Sequence, residues 1–319
     1  MEAGGRRTAH AAPPAVDGVD LRANASAALA AVLLGASVVA VRVAVRDVPP
    51  LSLAVLRFGQ GWLLIALALL VLAPGRLRVP RRRLPLLALL GAVFFAAFPA
   101  TFNVGLRFTE ASRGALMLAT MPIWSALLGR AFGERLGRRQ LAGVTLSVLG
   151  IGVAFAEPGW TGGSGAALVG DGLLLVTGLL GAVYGLLAKR ALAADAPATV
   201  TSYAMLFGTL LLLPWALLEG PLPALGRLDG RLLAVVAFLG VPGGAVAFLL
   251  WTWALSRLAP TRVAVYVNLN PIVAALLGVL LLAERRSGLF VLGFVAVVGG
   301  VLLVNWPARR QRFSAGTAG

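Results

Sequence analysis

The sequence predicts an all-α polytopic membrane protein of about ten transmembrane helices, arranged as two inverted five-helix repeats. Three observations predict it. First, 59% of the 319 residues are hydrophobic and only 13% are charged, whereas soluble domains carry about 25% charged residues, so lipid must be the solvent for most of the chain. Second, the apolar residues fall into runs of roughly 17 to 25, the length that crosses a bilayer core as a helix. Third, the chain comes close to writing one stretch twice. Residues 106–143 return at 255–293, with Arg113 on Arg262, Ala115 on Ala264, Pro122 on Pro271 and Ile123 on Ile272. One inserted residue later, Glu134 and Arg135 meet Glu284 and Arg285, Gly143 meets Gly293 and Gly150 meets Gly300. A shared Pro, Arg and Glu-Arg in one order marks a repeat beyond the background of Leu and Ala.

Taken in order, residues 1–24 are rich in Ala, Gly and Pro, mix both charge signs and lack apolar periodicity, so a disordered tail is expected there. Apolar runs follow at about 25–45, 51–72, 84–106, 111–132 and 141–156. The first lies too far from the N-terminus to resemble a short signal segment, so it is expected to stay in the protein. The stretch 157–165, with Pro158 and a Gly/Ser cluster, is a linker. Runs at about 166–188, 200–218, 232–255, 263–282 and 289–306 form the second repeat, and 307–319 is a polar tail.

The charges have a pattern of their own. A net charge of +16 would suggest nucleic acid in a soluble chain, but here the arginines sit between apolar runs, as orientation signals do. Alternate connections hold the basic clusters: Arg6, Arg7 and Arg22; Arg76, Arg78 and Arg81 to Arg83; Arg130, Arg135, Arg138 and Arg139; Lys189 and Arg190; Arg257 and Arg262; Arg309, Arg310 and Arg312. Excess Lys/Arg marks cytoplasmic loops, so both tails are expected in the cytoplasm and 157–165 outside, in a multi-pass protein of the cytoplasmic membrane. With no Cys, and His10 the only His, a disulfide framework and a zinc site of the usual kind are excluded, and no cofactor is expected.

An odd number of helices per repeat sends the second copy into the membrane upside down. Two inverted halves around a site near the midplane suit a secondary transporter, because exchanging the conformations of two similar halves opens the site to either side.

The repeated pattern resembles the EamA-type branch of the drug/metabolite transporter superfamily: a helix with a central Pro, Glu-Arg at its end, a polar link and a Gly-bearing helix. Here these are Pro122, Glu134, Arg135, Gln140 and Gly143, then Pro271, Glu284, Arg285 and Gly293, with Phe290 where the first copy has Gln140. Pro49 to Leu51 and Leu56 to Phe58 fit its second helix, and Leu33-Leu34-Gly35-Ala36 and Leu179-Leu180-Gly181-Ala182 fit the first helix of each repeat. The resemblance covers about 25–306. It implies a central cavity and movement of a small organic metabolite, such as an amino acid, nucleoside or sugar, by alternating access. A lipid-carrier flippase of related architecture is the alternative. A membrane enzyme is disfavoured, since it would need convergent carboxylates, a His or a metal-ligand set in its spans.

Pro122 and Pro271 each delete a helix hydrogen bond and free an upstream carbonyl, so both are expected to kink their helices, with gating as the functional reading. Tyr266, Asn268 and Asn270 form the most polar stretch inside any run and are expected to turn inward. Tyr266 and Asn270 share a helix face and are expected to look across the cavity at Thr120 and Trp124, with Tyr184, Asn103 and Trp251 in its wall and Thr101 nearby. Arg42 and Arg57 interrupt apolar runs. Snorkelling to headgroups, or pairing of Arg42 with Asp47, is one reading; contact between Arg57 and a substrate carboxylate is the other. The sequence reads as having no Asp or Glu well inside a run, with Glu110 in the third connection and Glu134 and Glu284 at helix ends, so coupling through a buried acid is not expected. Gly143, Ser147 and Gly150 form a small-residue seam for packing within a repeat or for a homodimer face.

Overall fold

The computed structural model describes residues 19–118, 120–131, 137–155, 165–220, 229–257, 266, 269–282 and 287–305. Among them the chain is helical apart from short turns and connections and contains no strand. We number the spans in chain order: α1 (Val19–Ala44), α2 (Pro50–Leu72), α3 (segments Leu84–Leu90, Gly91–Ala97 and Phe98–Phe108), α4 (Ala111–Leu118 and Met121–Ala131) and α5 (Arg138–Phe155) in the first repeat. The second holds α6 (Gly165–Leu192), α7 (Pro197–Leu218), α8 (Gly230–Gly240, Val241–Val246 and Ala247–Arg257), α9 (Leu269–Leu282) and α10 (Gly288–Asn305). α1, α2, α3, α6, α7 and α8 are each long and apolar enough to cross a membrane, and α5, α9 and α10 carry shorter apolar stretches. α1 begins before the expected end of the tail at residue 24. Ala23 and Ala27 are buried against Ala254 of α8, and that packing holds the first turns in place.

The packing obeys a two-fold exchange of α1–α5 with α6–α10. α1 packs on α8 and α9, and α6 packs on α3 and α4; α2 packs on α8, and α7 on α3; α2 with α7, α4 with α9 and α5 with α10 pair across the axis. The first helix of each repeat is thus inserted into the other repeat, so the two copies are interleaved in space.

The sense of the axis follows from the glycines of α5 and α10. A Cβ at Gly150 would lie 2.7 Å from the Gly293 carbonyl oxygen and 2.8 Å from the Val297 nitrogen, while Gly300 lies against the Gly143 carbonyl and Ser147. The early glycine of each helix therefore meets the late glycine of the other, and the two run antiparallel. A two-fold along the membrane normal would make such a pair parallel, so the axis lies in the membrane plane and the repeats are inverted. The Gly143–Ser147–Gly150 seam is consequently used inside this chain, between repeats, with the Ser147 hydroxyl donating to the Val297 carbonyl at 3.3 Å.

α2 and α7 are antiparallel in the same way and are tied at both ends. Glu219, at the end of α7, accepts from the backbone N–H of Leu51 at 2.8 Å and of Ser52 at 3.1 Å. A carboxylate from one repeat thus satisfies the orphan donors at the N-terminus of a helix in the other. At the far end, Tyr203 and Thr199 donate to the Leu77 and Arg76 carbonyls, and Arg83 pairs with Asp195 at 2.7 Å.

α3 and α8 each pass through a π-helical turn, Gly91–Ala97 and Val241–Val246. The two begin at the same spacing that separates Glu134 from Glu284, so this irregularity belongs to the repeat. π turns widen the helix and displace carbonyls from their usual partners, and they concentrate at functional positions.

Candidate functional site

The α8 turn has an outside partner. Pro242 within it has no N–H to donate, and Arg57 of α2 reaches in, its Nη2 donating to the Gly243 carbonyl at 3.1 Å. Arg57 is 7% exposed. Its guanidinium carbon stands 5.1 Å from the Phe58 ring centre, and its Nε is buried without a hydrogen-bond partner among the described residues. It therefore does not snorkel. A cation this deep, satisfied in part by one carbonyl, leaves electrostatic demand for an anionic group.

Beside it lies an aromatic cluster drawn from four helices. Phe94 and Tyr184 stack at 4.2 Å between ring centres, and Phe95 meets Phe58 edge-on at 5.2 Å and Phe248 at 5.5 Å. Phe94 and Phe95 belong to the α3 π turn, so both irregular turns contribute to this region: one through rings, the other through a carbonyl.

The other sequence-predicted residues fall into distinct places. Thr120 and Trp124 bond each other at 3.1 Å and face α6, where a Cβ on Gly178 would lie 3.1 Å from the Thr120 hydroxyl. Asn270 and Tyr266 face α1: Gly35 sits 2.7 Å, as a Cβ, from the Asn270 carbonyl, and the Tyr266 hydroxyl bonds the Asn24 side-chain oxygen at 3.2 Å. Because α1 and α6 are repeat equivalents, the two groups occupy related positions on different helices. The Asn270 side-chain oxygen is buried without a hydrogen-bond partner among the described residues. Gly35 lies against Asn270, and Ser37, two residues on, lies against Gly243, so the open polar atoms of Asn270 and Arg57 stand at similar depth on two sides of α1.

Asn103 is already engaged, its amide donating to the Pro50 carbonyl at 2.8 Å in a buried setting, so it fastens α3 to the start of α2. Thr101 meets Thr177 of α6 at 2.8 Å. Trp251 is half-buried against Ala23, Ala27 and Ala254, next to Tyr266. α4 is interrupted between Leu118 and Met121, just upstream of Pro122, where the backbone N–H and the hydroxyl of Thr120 both donate to the Met117 carbonyl. Asn268, Glu134, Arg135, Glu284 and Arg285 lie outside the described residues, as do the side chains of Pro122 and Pro271.

Two polar features depart from the sequence expectation. Arg42 has partners that its sequence neighbourhood does not suggest: its Nη1 donates to the carbonyls of Leu106 at 2.6 Å and Arg107 at 3.0 Å, which caps the C-terminal end of α3. A carboxylate does sit in a span. Asp171, 2% exposed in the second turn of α6, pairs with Arg113 of α4 at 2.6 Å and accepts from the Thr109 hydroxyl at 2.8 Å. Its place near the start of an apolar run hid it, since end-of-run charges are ordinarily solvated.

Comparison with known proteins follows the same lines. The EamA-like transporter family model matches residues 21–156 and again 168–306. A "probable terminal-alkyne amino-acid exporter" of Streptantibioticus cattleyicolor is 30% identical, covering 81% of this chain and 86% of its own length. A "probable amino-acid metabolite efflux pump" of Escherichia coli is 28% identical over 87% of this chain and 92% of its own. A transporter of Archaeoglobus fulgidus is 31% identical over 70% and 75%. A solved crystal structure superposes with a TM-score of 0.63, covering 89% of this chain and 95% of that one at 21% identity, a likeness of fold alone.

Proposed function

Because this chain belongs to the EamA-like transporter family, a family of multi-pass membrane transporters, we propose that it is a secondary transporter that carries small carboxylate-bearing metabolites, amino acids foremost, across the cytoplasmic membrane by alternating access. One observation carries the reading. Arg57 is a buried cation with an unpartnered Nε beside an aromatic cluster, at a place where both repeats depart from regular helix. A carboxylate would satisfy the guanidinium through charge-assisted hydrogen bonds, and the rings of Phe94, Tyr184 and Phe248 offer apolar surface to the rest of the solute. The names of the exporter and efflux-pump relatives point the same way. Tyr266, Asn268, Asn270, Thr120, Trp124 and Trp251 are assigned to the path around this centre, with Pro122 and Pro271 as flexing points; Asn103 acts by holding α2.

Inverted, interleaved repeats support alternating access because a rearrangement that opens one end has a symmetry-related counterpart at the other. Termini in the cytoplasm fit the distribution of arginine clusters, and reporters fused after Trp306 and within 157–165 test it by reading cytoplasmic and external. The reading itself is tested in proteoliposomes with a labelled panel of acidic, zwitterionic and neutral solutes, with and without a pH gradient. Uptake of carboxylate-bearing solutes that falls on Arg57→Gln supports it. Transport of neutral solutes alone, or equal loss for all solutes, contradicts it.

A further inference from the structure

The Asp171 cluster stands apart from the Arg57 region. Asp171 binds Arg113 at 2.6 Å through one oxygen and Thr109 at 2.8 Å through the other, so one carboxylate ties the end of α3 and the start of α4 to α6. At the same end Arg42 of α1 grips the last carbonyls of α3. The backbones are close as well: a Cβ at Gly170 would lie 2.9 Å from the Gly105 carbonyl oxygen. The repeat-related end is built differently. Aligning Gly35 with Gly181 sets Ala25 opposite Asp171 and Ala188 opposite Arg42. Among the described residues α1 and α8 meet there through Ala23, Ala27 and Ala254, with the neutral Tyr266–Asn24 bond at 3.2 Å as a polar link.

We infer that Thr109, Arg113 and Asp171 form a charged latch closing the mouth between α3, α4 and α6. The inference rests on the alternating-access reading above. Its physical basis is the all-or-none character of a buried ion pair. Drawn slightly apart in a dry site, both charges would be stranded in low dielectric; drawn fully apart, with the mouth open, both are hydrated. Intermediate separations are the unfavourable ones, so the pair makes a two-state closure. A neutral hydrogen bond between an amide and a phenol has no such penalty. The latch therefore gives the α3–α4 end a two-state closure, and stranding or removing its charges shifts the population open at that end.

The chain contains no Cys, so a single Met117→Cys reports on this mouth; Met117 is fully buried, one turn beyond Arg113 on α4. A membrane-impermeant maleimide is applied from each face to protein in sealed vesicles of both orientations. The expected result is slow labelling in the parent and a rise of at least about tenfold in Asp171→Asn and in the neutral double variant Asp171→Asn/Arg113→Gln, from the α3–α4 face alone. Thr109→Val should give a smaller rise of the same sidedness, and the exchange Asp171→Arg/Arg113→Asp should restore much of the protection. Unchanged labelling in a monodisperse double variant, or an equal rise from both faces, overturns the latch. If Asp171→Asn alone does not yield monodisperse protein, the double variant and Thr109→Val decide. Labelling does not depend on turnover, so a parent that transports none of the solute panel while the variants still open this mouth overturns the transport reading and leaves the latch, whereas a parent that transports while the variants stay protected does the reverse.

Discussion

The two repeats share their backbone devices and differ in their polar chemistry. Each has a π turn at the same place in its third helix, a glycine in its first helix on which the partner repeat's Pro-bearing helix rests, and a last helix that crosses its counterpart glycine to carbonyl. Some charged groups recur, Arg113 as Arg262 and Glu134-Arg135 as Glu284-Arg285, but others do not. Arg57 corresponds to Ala204 when Gly61 is set on Gly208, Asp171 corresponds to Ala25, and Met117 and Met121 stand where the second repeat has Tyr266 and Asn270. On the alternating-access reading proposed above, shared backbone geometry gives two interconvertible halves, and unshared side chains determine what the site holds. The comparison breaks if the shared parts prove dispensable or the unshared parts interchangeable.

The largest effect is expected at a shared element. Gly150→Leu would drive a side chain into the backbone of α10 at Gly293 and Val297, where neither helix can yield without separating. Overpacking of this kind costs about 3 kcal/mol or more, and loss of monodisperse protein in size-exclusion chromatography is the expected outcome. The same substitution at Gly152, which has open space around it, should be tolerated.

Next comes the unshared Arg57. A charge-assisted hydrogen bond contributes about 1.5–3 kcal/mol, so Arg57→Gln should lower transport of carboxylate-bearing solutes by about tenfold or more while sparing neutral ones, measured as initial uptake rates. Transferring an arginine to the related position, Ala204→Arg, should fail to restore it, because the α7 backbone at Ala204 lies tightly against Gly91 of α3 and Ala204 is fully buried.

Much of the fold was legible because hydrophobic run length and the repeated Pro, Glu-Arg and Gly positions are local signals. The inversion followed from the odd helix count. The π turns were not legible: Val241–Val246 has a Pro and two glycines to hint at irregularity, but Gly91–Ala97 reads as ordinary apolar helix. Polar pairings were the least legible. Nothing in the sequence points Arg42 to the carbonyls at the end of α3, and nothing marks Asp171 as buried, because Thr109 and Arg113 approach it from other segments. A sequence shows which polar groups enter lipid but not which distant backbone or side chain will satisfy them.

Smaller effects sharpen the picture at the ties between repeats. Glu219→Gln keeps the shape but removes the charge that caps α2, and is expected to lower stability by about 1–2 kcal/mol, read as a lower denaturant midpoint in detergent. Tyr266→Phe removes one neutral hydrogen bond to Asn24 and should cost about 1 kcal/mol, with little change in sidedness of labelling at Met117→Cys.

The central claim, that inverted repeats exchange open and closed ends, is tested most directly by paired distance measurements across both ends. Phe108 and Leu168 are exposed at the meeting of α3 and α6, and Arg257 and Leu21 are exposed at the related meeting of α8 and α1. Spin labels on Phe108→Cys/Leu168→Cys and on Leu21→Cys/Arg257→Cys, read by double electron–electron resonance with and without a transported solute, should change in opposite directions, one distance lengthening as the other shortens. Distances that lengthen together, or that stay fixed while transport proceeds, would contradict it.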